Sequence, residues 1–223
     1  MGILRDAAVE IVKETLIVGG IGALAGAAEK IEEMSAKSAE KKERKISNRF
    51  KITSFLSRYK NHLLAICSEK NGKRTYVFST TDNQIKYFTS CPNRFSGILL
   101  HDYDENVIGS VTFGMPKKSG LLLNKHYSRV LSLNIGNSQI GTVEPTITGS
   151  TKGIKVHSYF WDIWMKAGES SVESDKEFKM SPMDIFAKKA YQIGFNDEGK
   201  ELILALTFIA VKEAKQILKE VKL

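Results

Sequence analysis

The chain has 223 residues, enough for one sizeable core and a smaller appendage, and its 42% hydrophobic and 26% charged content argues against general disorder. The net charge of +8 is uneven: residues 30–60 carry +6, residues 1–29 carry −2 and residues 61–223 carry +4. The basic character is therefore mainly local, and a nucleic-acid-binding role finds little support in residues 61–223. Two cysteines, Cys67 and Cys91, lack C-x-x-C or His/Cys ligand spacing, which argues against a disulfide scaffold or a zinc ribbon and fits a reducing cytosol. Whether the two pair with each other is open.

The first distinctive stretch is "ETLIVGGIGALAGAAEK", residues 14–30. The uncharged run between Glu14 and Glu29 is shorter than the roughly 20 apolar residues a spanning helix needs, so a buried or interfacial helix is expected. Asp6, Glu10 and Glu14 give the preceding residues the wrong charge balance for an export signal, and the segment reads as retained. Gly20-Ile21-Gly22-Ala23-Leu24-Ala25 matches the dinucleotide fingerprint G-x-G-x-x-G/A, which would make the protein a nucleotide-binding enzyme. No parallel strand follows to complete the βαβ unit, and the motif alone is weak. Gly22 and Gly26, and likewise Gly19, Ala23 and Ala27, instead place small residues four apart, spacing that permits close helix approach in or against a membrane. The same spacing suits a helix packed on the domain or on another copy of itself.

Residues 29–45 lack Gly and Pro and are rich in Glu, Lys and Ala, so the helix is expected to continue. Residues 46–60, "ISNRFKITSFLSRYK", mix aromatic and basic residues. They read either as a basic amphipathic element for an anionic surface or as the chain feeding into the first strand.

From residue 61 the pattern changes to short strand-like runs around turn signals: Asn71-Gly72, Asp104-Glu105-Asn106 and Gly136-Asn137. "YFWDIWMKA" adds another strand. Such spacing predicts an antiparallel sheet closing into a barrel or sandwich. The run Leu202–Val211 is apolar except for Thr207, leaving no face for water, so it must be buried on all sides. Asp197 and Glu198 precede it and Lys212, Lys215 and Lys219 follow, which suits the helix dipole. These features predict a mainly β fold: a closed antiparallel barrel around a buried C-terminal helix, with an N-terminal helical appendage. Three regions are expected: the appendage 1–45, a basic linker 46–60 and the barrel 61–223.

The paired units "DYDENVIGSV" and "NIGNSQIGTV", followed by "AYQIGFNDEGKELILALTFIAVKE", resemble the tubby C-terminal-like superfamily, which includes the LURP-one-related proteins and phospholipid scramblases. The resemblance covers about residues 61–215 and implies a twelve-stranded barrel around a hydrophobic helix. Its members include phosphoinositide-binding and membrane-associated proteins, so it also implies lipid binding. It implies fold more strongly than activity.

No reaction is legible. His62, His101, His126 and His157 are scattered, and neither H-E-x-x-H nor G-x-S-x-G occurs. "HDYDE" (101–105) could suggest a cation site but reads better as a turn. "NKHYSR" (124–129) could meet a phosphate or be a polar loop, and Trp161 and Trp164 could form an aromatic platform but at strand spacing more often fill core or rim positions. The expected function is non-enzymatic binding to an anionic phospholipid or membrane surface, without cofactor or metal, in the cytoplasm or at the inner face of a membrane. Leu16, Ile17, Ile21 and Leu24 would contact the membrane, and Lys41, Lys42, Arg44, Lys45, Arg49 and Lys51 would meet lipid. The alternative is a soluble interaction module whose N-terminal helix packs on a protein partner or self-associates.

Overall fold

The structure, a computed structural model, describes residues 57–70, 73–82, 84–91, 97–119, 126–174, 177–183 and 190–221. The expected appendage and most of the linker lie outside these residues, and with them the Gly20–Ala25 motif, Leu16, Ile17, Ile21, Leu24, Lys41, Lys42, Arg44, Lys45, Arg49 and Lys51.

Alternating apolar residues between turn signals give fourteen strands among the described residues. They are β1 (Asn61–Lys70), β2 (Lys73–Ser79), β3 (Ile85–Ser90), β4 (Ile98–Asp102), β5 (Val107–Phe113), β6 (Lys117–Ser119) and β7 (His126–Ser128). There follow β8 (Leu131–Ile135), β9 (Ser138–Thr148), β10 (Thr151–Ser158), β11 (Asp162–Lys166), β12 (Val172–Ser174), β13 (Phe178–Pro182) and β14 (Ala190–Phe195). A short 3-10 turn, Glu198–Lys200, leads into helix α1 (Glu201–Glu220). The side chain of Asp197 caps that turn by accepting from Gly199 N–H at 3.0 Å.

Every strand pair is antiparallel, in the order β11-β10-β9-β8-β5-β4-β3-β2-β1-β14-β13-β12. The hairpin β6–β7 stands off this path, with β7 added to the far end of β9. The first and last strands, β1 and β14, pair from Asn61↔Phe195 to Ile66↔Ala190. Closure was expected all round, and here the structure corrects it: the sheet is open between β11 and β12, which form its two edges. Side chains fill that seam where a backbone ladder would be. Trp161 lies 4.9 Å from Phe178 across it, and Lys200 Nζ joins Glu177 at 3.3 Å while sitting over the Phe160 and Trp161 rings at 4.9 and 5.9 Å.

The sheet wraps α1. The buried helix residues Ile203, Leu204, Ala205, Leu206, Phe208, Ile209, Ala210 and Val211 cover every side of its first half, as an unbroken apolar run requires. Phe208 meets Tyr76, Phe78 and Tyr191 at centroid distances of 6.1, 5.8 and 5.1 Å, bringing β2 and β14 onto one ring. On the opposite side, a Cβ at Gly109 would lie 3.1 Å from Leu206 Cδ1, so glycine there lets β5 approach the helix. The helix is longer than the apolar run that announced it. No helix among the described residues is long and apolar enough to cross a membrane.

Polar contacts hold the helix at both ends. Near its start, Glu201 accepts from Tyr87 Oη at 2.7 Å and pairs with Lys86 Nζ at 2.6 Å. Near its end, Glu213 accepts from Tyr76 Oη at 2.5 Å and lies 3.4 Å from Arg74 Nη2. Lys152 Nζ donates to the Leu218 carbonyl at 2.9 Å, and Lys215 Nζ donates to the Glu169 carbonyl at 2.5 Å. Burial pushes the Glu213 carboxyl up and holds the Lys215 ammonium down at about 8, the latter helped by the charge of Lys212.

Two stability measurements follow. Phe208→Ala should lower the unfolding free energy by about 3–5 kcal/mol in urea denaturation, because removing a ring packed against β2 and β14 leaves a cavity. Lys215 has its folded pKa below its unfolded one, so between pH 8 and 10.5 the unfolded chain binds more protons and stability should rise with pH. The urea midpoint of the wild type minus that of Lys215→Met should therefore increase across this window. A flat difference would contradict it.

Candidate functional site

The cation reading of "HDYDE" gives way to a turn. Asp102 Oδ1 accepts from the backbone N–H groups of Asp104 and Asn106 at 3.0 and 2.9 Å, and Asn106 Nδ2 donates to Asp102 Oδ2 at 3.1 Å. The Asn106 side chain, ahead of these backbone bonds, holds the Asp102 carboxyl below its usual range. Glu105 takes the left-handed conformation at φ 67° that the turn needs. No cluster of three or more potential metal ligands occurs among the described residues.

The next candidate is a hydroxyl–imidazole pair that sequence reading missed, because its members lie on adjacent strands. Ser90 Oγ is 2.7 Å from His101 Nε2, and His101 Nδ1 is 3.1 Å from the Glu105 carbonyl. A carbonyl only accepts, so neutral His101 carries its proton on Nδ1 and Nε2 accepts from Ser90. That orientation is also found where a serine is activated for attack. Here the ring is buried and stacked on Phe88 at 5.3 Å, and the two contacts satisfy both nitrogens, which is what a buried histidine requires.

A cleft of about 210 Å³ lies at one end of the seam, between Trp161, Phe178, Phe195 and Leu204. Lys200, Glu177 and Asp197 close its rim through their own ion pairs, and this arrangement fastens the seam.

The face with unspent binding chemistry is the outer surface of β6, β7, β9, β10 and β11. Along strands whose alternate residues Tyr127, Ile147, Ile154 and Met165 turn into the core, the register lines up Lys117–Ser128–Thr146–Gly153–Lys166 on the outside. A second row runs Ser119–His126–Thr148–Thr151, and a third Glu144–Lys155–Trp164. A Cβ at Gly153 would come 2.9 Å from Trp164 Nε1, so the indole lies over the glycine, with Trp164 still 55% exposed. Lys155 is drawn to Asp162 at 3.8 Å, whereas Lys117, Lys118 and Lys166 join none of the ion pairs among the described residues. Met115, 89% exposed, projects beside Lys117, and no Asp or Glu occurs from residue 106 to 143.

The "NKHYSR" segment thus divides. His126 and Ser128 join this face, Tyr127 enters the core, and Arg129 is engaged with the Gly114 carbonyl at 2.8 Å and the Phe113 ring at 5.3 Å. The two tryptophans divide likewise, Trp161 buried and Trp164 exposed. Lys117 and Lys166 escaped sequence reading because only the register brings them together. Cys67 and Cys91 remain thiols. Comparison of the chain with protein-family models, with curated proteins and with solved structures finds no match.

Gly153→Ala should move Trp164 without unfolding the sheet. Its indole emission should change in wavelength and in quenching by iodide, while stability stays within about 0.5 kcal/mol of wild type, as at other surface positions. An unchanged spectrum would show that the indole does not rest on Gly153.

Proposed function

We propose that the protein is a non-enzymatic binding protein for anionic phospholipid surfaces, and that the outer face of β6, β7, β9, β10 and β11 lies against the headgroups. The observation that carries this reading is the convergence of Lys117 and Lys166 with the exposed indole of Trp164 on one hydroxyl-rich face. Each well-placed lysine at an anionic surface contributes about 1 kcal/mol, and tryptophan favours the depth of the headgroups. The basic residues Lys41, Lys42, Arg44, Lys45, Arg49 and Lys51 would add to the same attraction through the chain that precedes β1. The attraction is electrostatic in large part and weakens as salt shortens its range.

A second reading, a protein-interaction module, draws on the open edge of β11 beside the exposed aromatics Tyr159, Phe160 and Trp164. An edge strand offers backbone groups to an added strand.

Co-sedimentation of the full chain with phosphatidylserine-containing and neutral vesicles at two salt concentrations separates the readings. The wild type should pellet with the anionic vesicles at low salt, and the double variant Lys117→Glu/Lys166→Glu should lose most of that binding. Emission of Trp164 should shift to the blue on binding, a change that Trp164→Phe removes. Equal pelleting of the wild type and the charge-reversed variant would turn attention to the edge of β11.

A further inference from the structure

On the other side of the barrel the sheet carries an apolar face that points away from α1. In β1–β4, Leu63, Ala65, Tyr76, Phe78 and Leu100 turn toward the helix. The intervening residues face outward, and the register joins them into one row, Ala190–Ile66–Val77–Phe88–His101, across β14, β1, β2, β3 and β4. Outward residues on a convex sheet ordinarily meet water. These are only 1, 2, 0, 1 and 6% exposed in that order. The neighbouring row Gln192–Leu64–Ser79 is buried as well. Among the described residues, Ile85 is the one partly buried hydrophobic packed on the cluster of Ile66, Val77 and Phe88, and the His101 ring stacks on Phe88. Gln192 Oε1, and His62 Nδ1 further along β1, are buried without a hydrogen-bond partner.

We infer that this outer face is the docking site of the chain's own N-terminal stretch, residues 14–28. Three observations select that occupant. The first is reach: residues 1–56 join the sheet at β1, where Lys60 N–H donates to Asn196 Oδ1 at 3.2 Å, and residues 29–56 can extend up to about 90 Å. The second is size. Five adjacent strands span about 19 Å, and residues 14–28 coiled as the helix expected from their sequence would run about 22 Å. The third is chemistry: the row carries no charged residue other than a titratable histidine, and neither does the stretch between Glu14 and Glu29.

The connections 71–72, 83 and 92–96 join strand ends, whereas Ile66, Val77 and Phe88 lie inside β1, β2 and β3. The connection 184–189 is short and carries Asp184, Lys188 and Lys189. At i, i+4 and i+7, Ile17, Ile21 and Leu24 fall on one helical face, which would meet Ile66, Val77 and Phe88. On this assignment Ile17, Ile21 and Leu24 contact the sheet and not a bilayer. Surface binding through Lys117, Lys166 and Trp164 is unaffected, since that face is built from other strands.

The test is photo-crosslinking of the full chain with p-benzoylphenylalanine replacing Leu24 and, in a second variant that covers any misfolding of the first, Ile21. The expected result is a crosslink within one chain, mapped by mass spectrometry to the β1 peptide around Leu64–Ile66 or to the strands bearing Val77 and Phe88. A crosslinked dimer would instead make a second copy the occupant. Crosslinks from both variants to other regions of the chain, or none at all, would give the face to another cover such as residues 184–189. Either result overturns the assignment.

Discussion

The rest of the structure depends on one constraint: the first half of α1 has no polar side. Residues Ile203 to Val211 are apolar apart from Thr207, and a sheet packed on one side would leave the other wet. Burying such a helix takes apolar cover all the way round it. The contacts divide accordingly, with Phe208 against Tyr76, Phe78 and Tyr191 on one side and Leu206 against Gly109 on the other. Dispersion and hydrophobic burial alone would allow the helix to slide along its axis. The Tyr87–Glu201–Lys86 contacts at one end and the Tyr76–Glu213–Arg74 contacts at the other fix its depth, since leaving either carboxylate unpartnered in a half-dry site is costly.

The same constraint explains why an open sheet suffices. What the helix needs is apolar cover, and backbone pairing is only one way to provide it. Between β11 and β12 the cover comes from Trp161, Phe178 and the Lys200 clasp, while Lys215 reaches across from α1 to the Glu169 carbonyl. An unpaired edge invites association with other chains. Asp162 and Lys166 at the two ends of β11 place charges along that edge, which discourages indiscriminate pairing while leaving Trp164 available.

Wrapping one sheet around a helix also gives it two unlike outer surfaces. The strands β14 and β1–β4 turn small and apolar side chains outward and need cover. The strands β6, β7 and β9–β11 turn out hydroxyls, lysines and one indole, which are compatible with water and with a charged surface. The inner core takes one set of alternate residues on the strands that wrap the helix, so the outer chemistry was free to diverge between these regions.

The buried helix could be read directly from the sequence, because an apolar run without a polar stripe has few physical solutions. So could several hairpins: Asn71-Gly72 joins β1 to β2, Asp104–Asn106 joins β4 to β5, and Gly136-Asn137 joins β8 to β9. Local turn chemistry decides these links. What the sequence could not decide was which strands become neighbours across long separations. The pairing of β1 with β14, the opening between β11 and β12, and the assembly of Lys117, Ser128, Thr146, Gly153 and Lys166 into one row are all set by register. The two tryptophans of "YFWDIWM" also needed the fold, since their spacing favoured core or rim for both and only packing separates buried Trp161 from exposed Trp164. Patterning fixes what a residue must avoid, and only packing fixes what it meets.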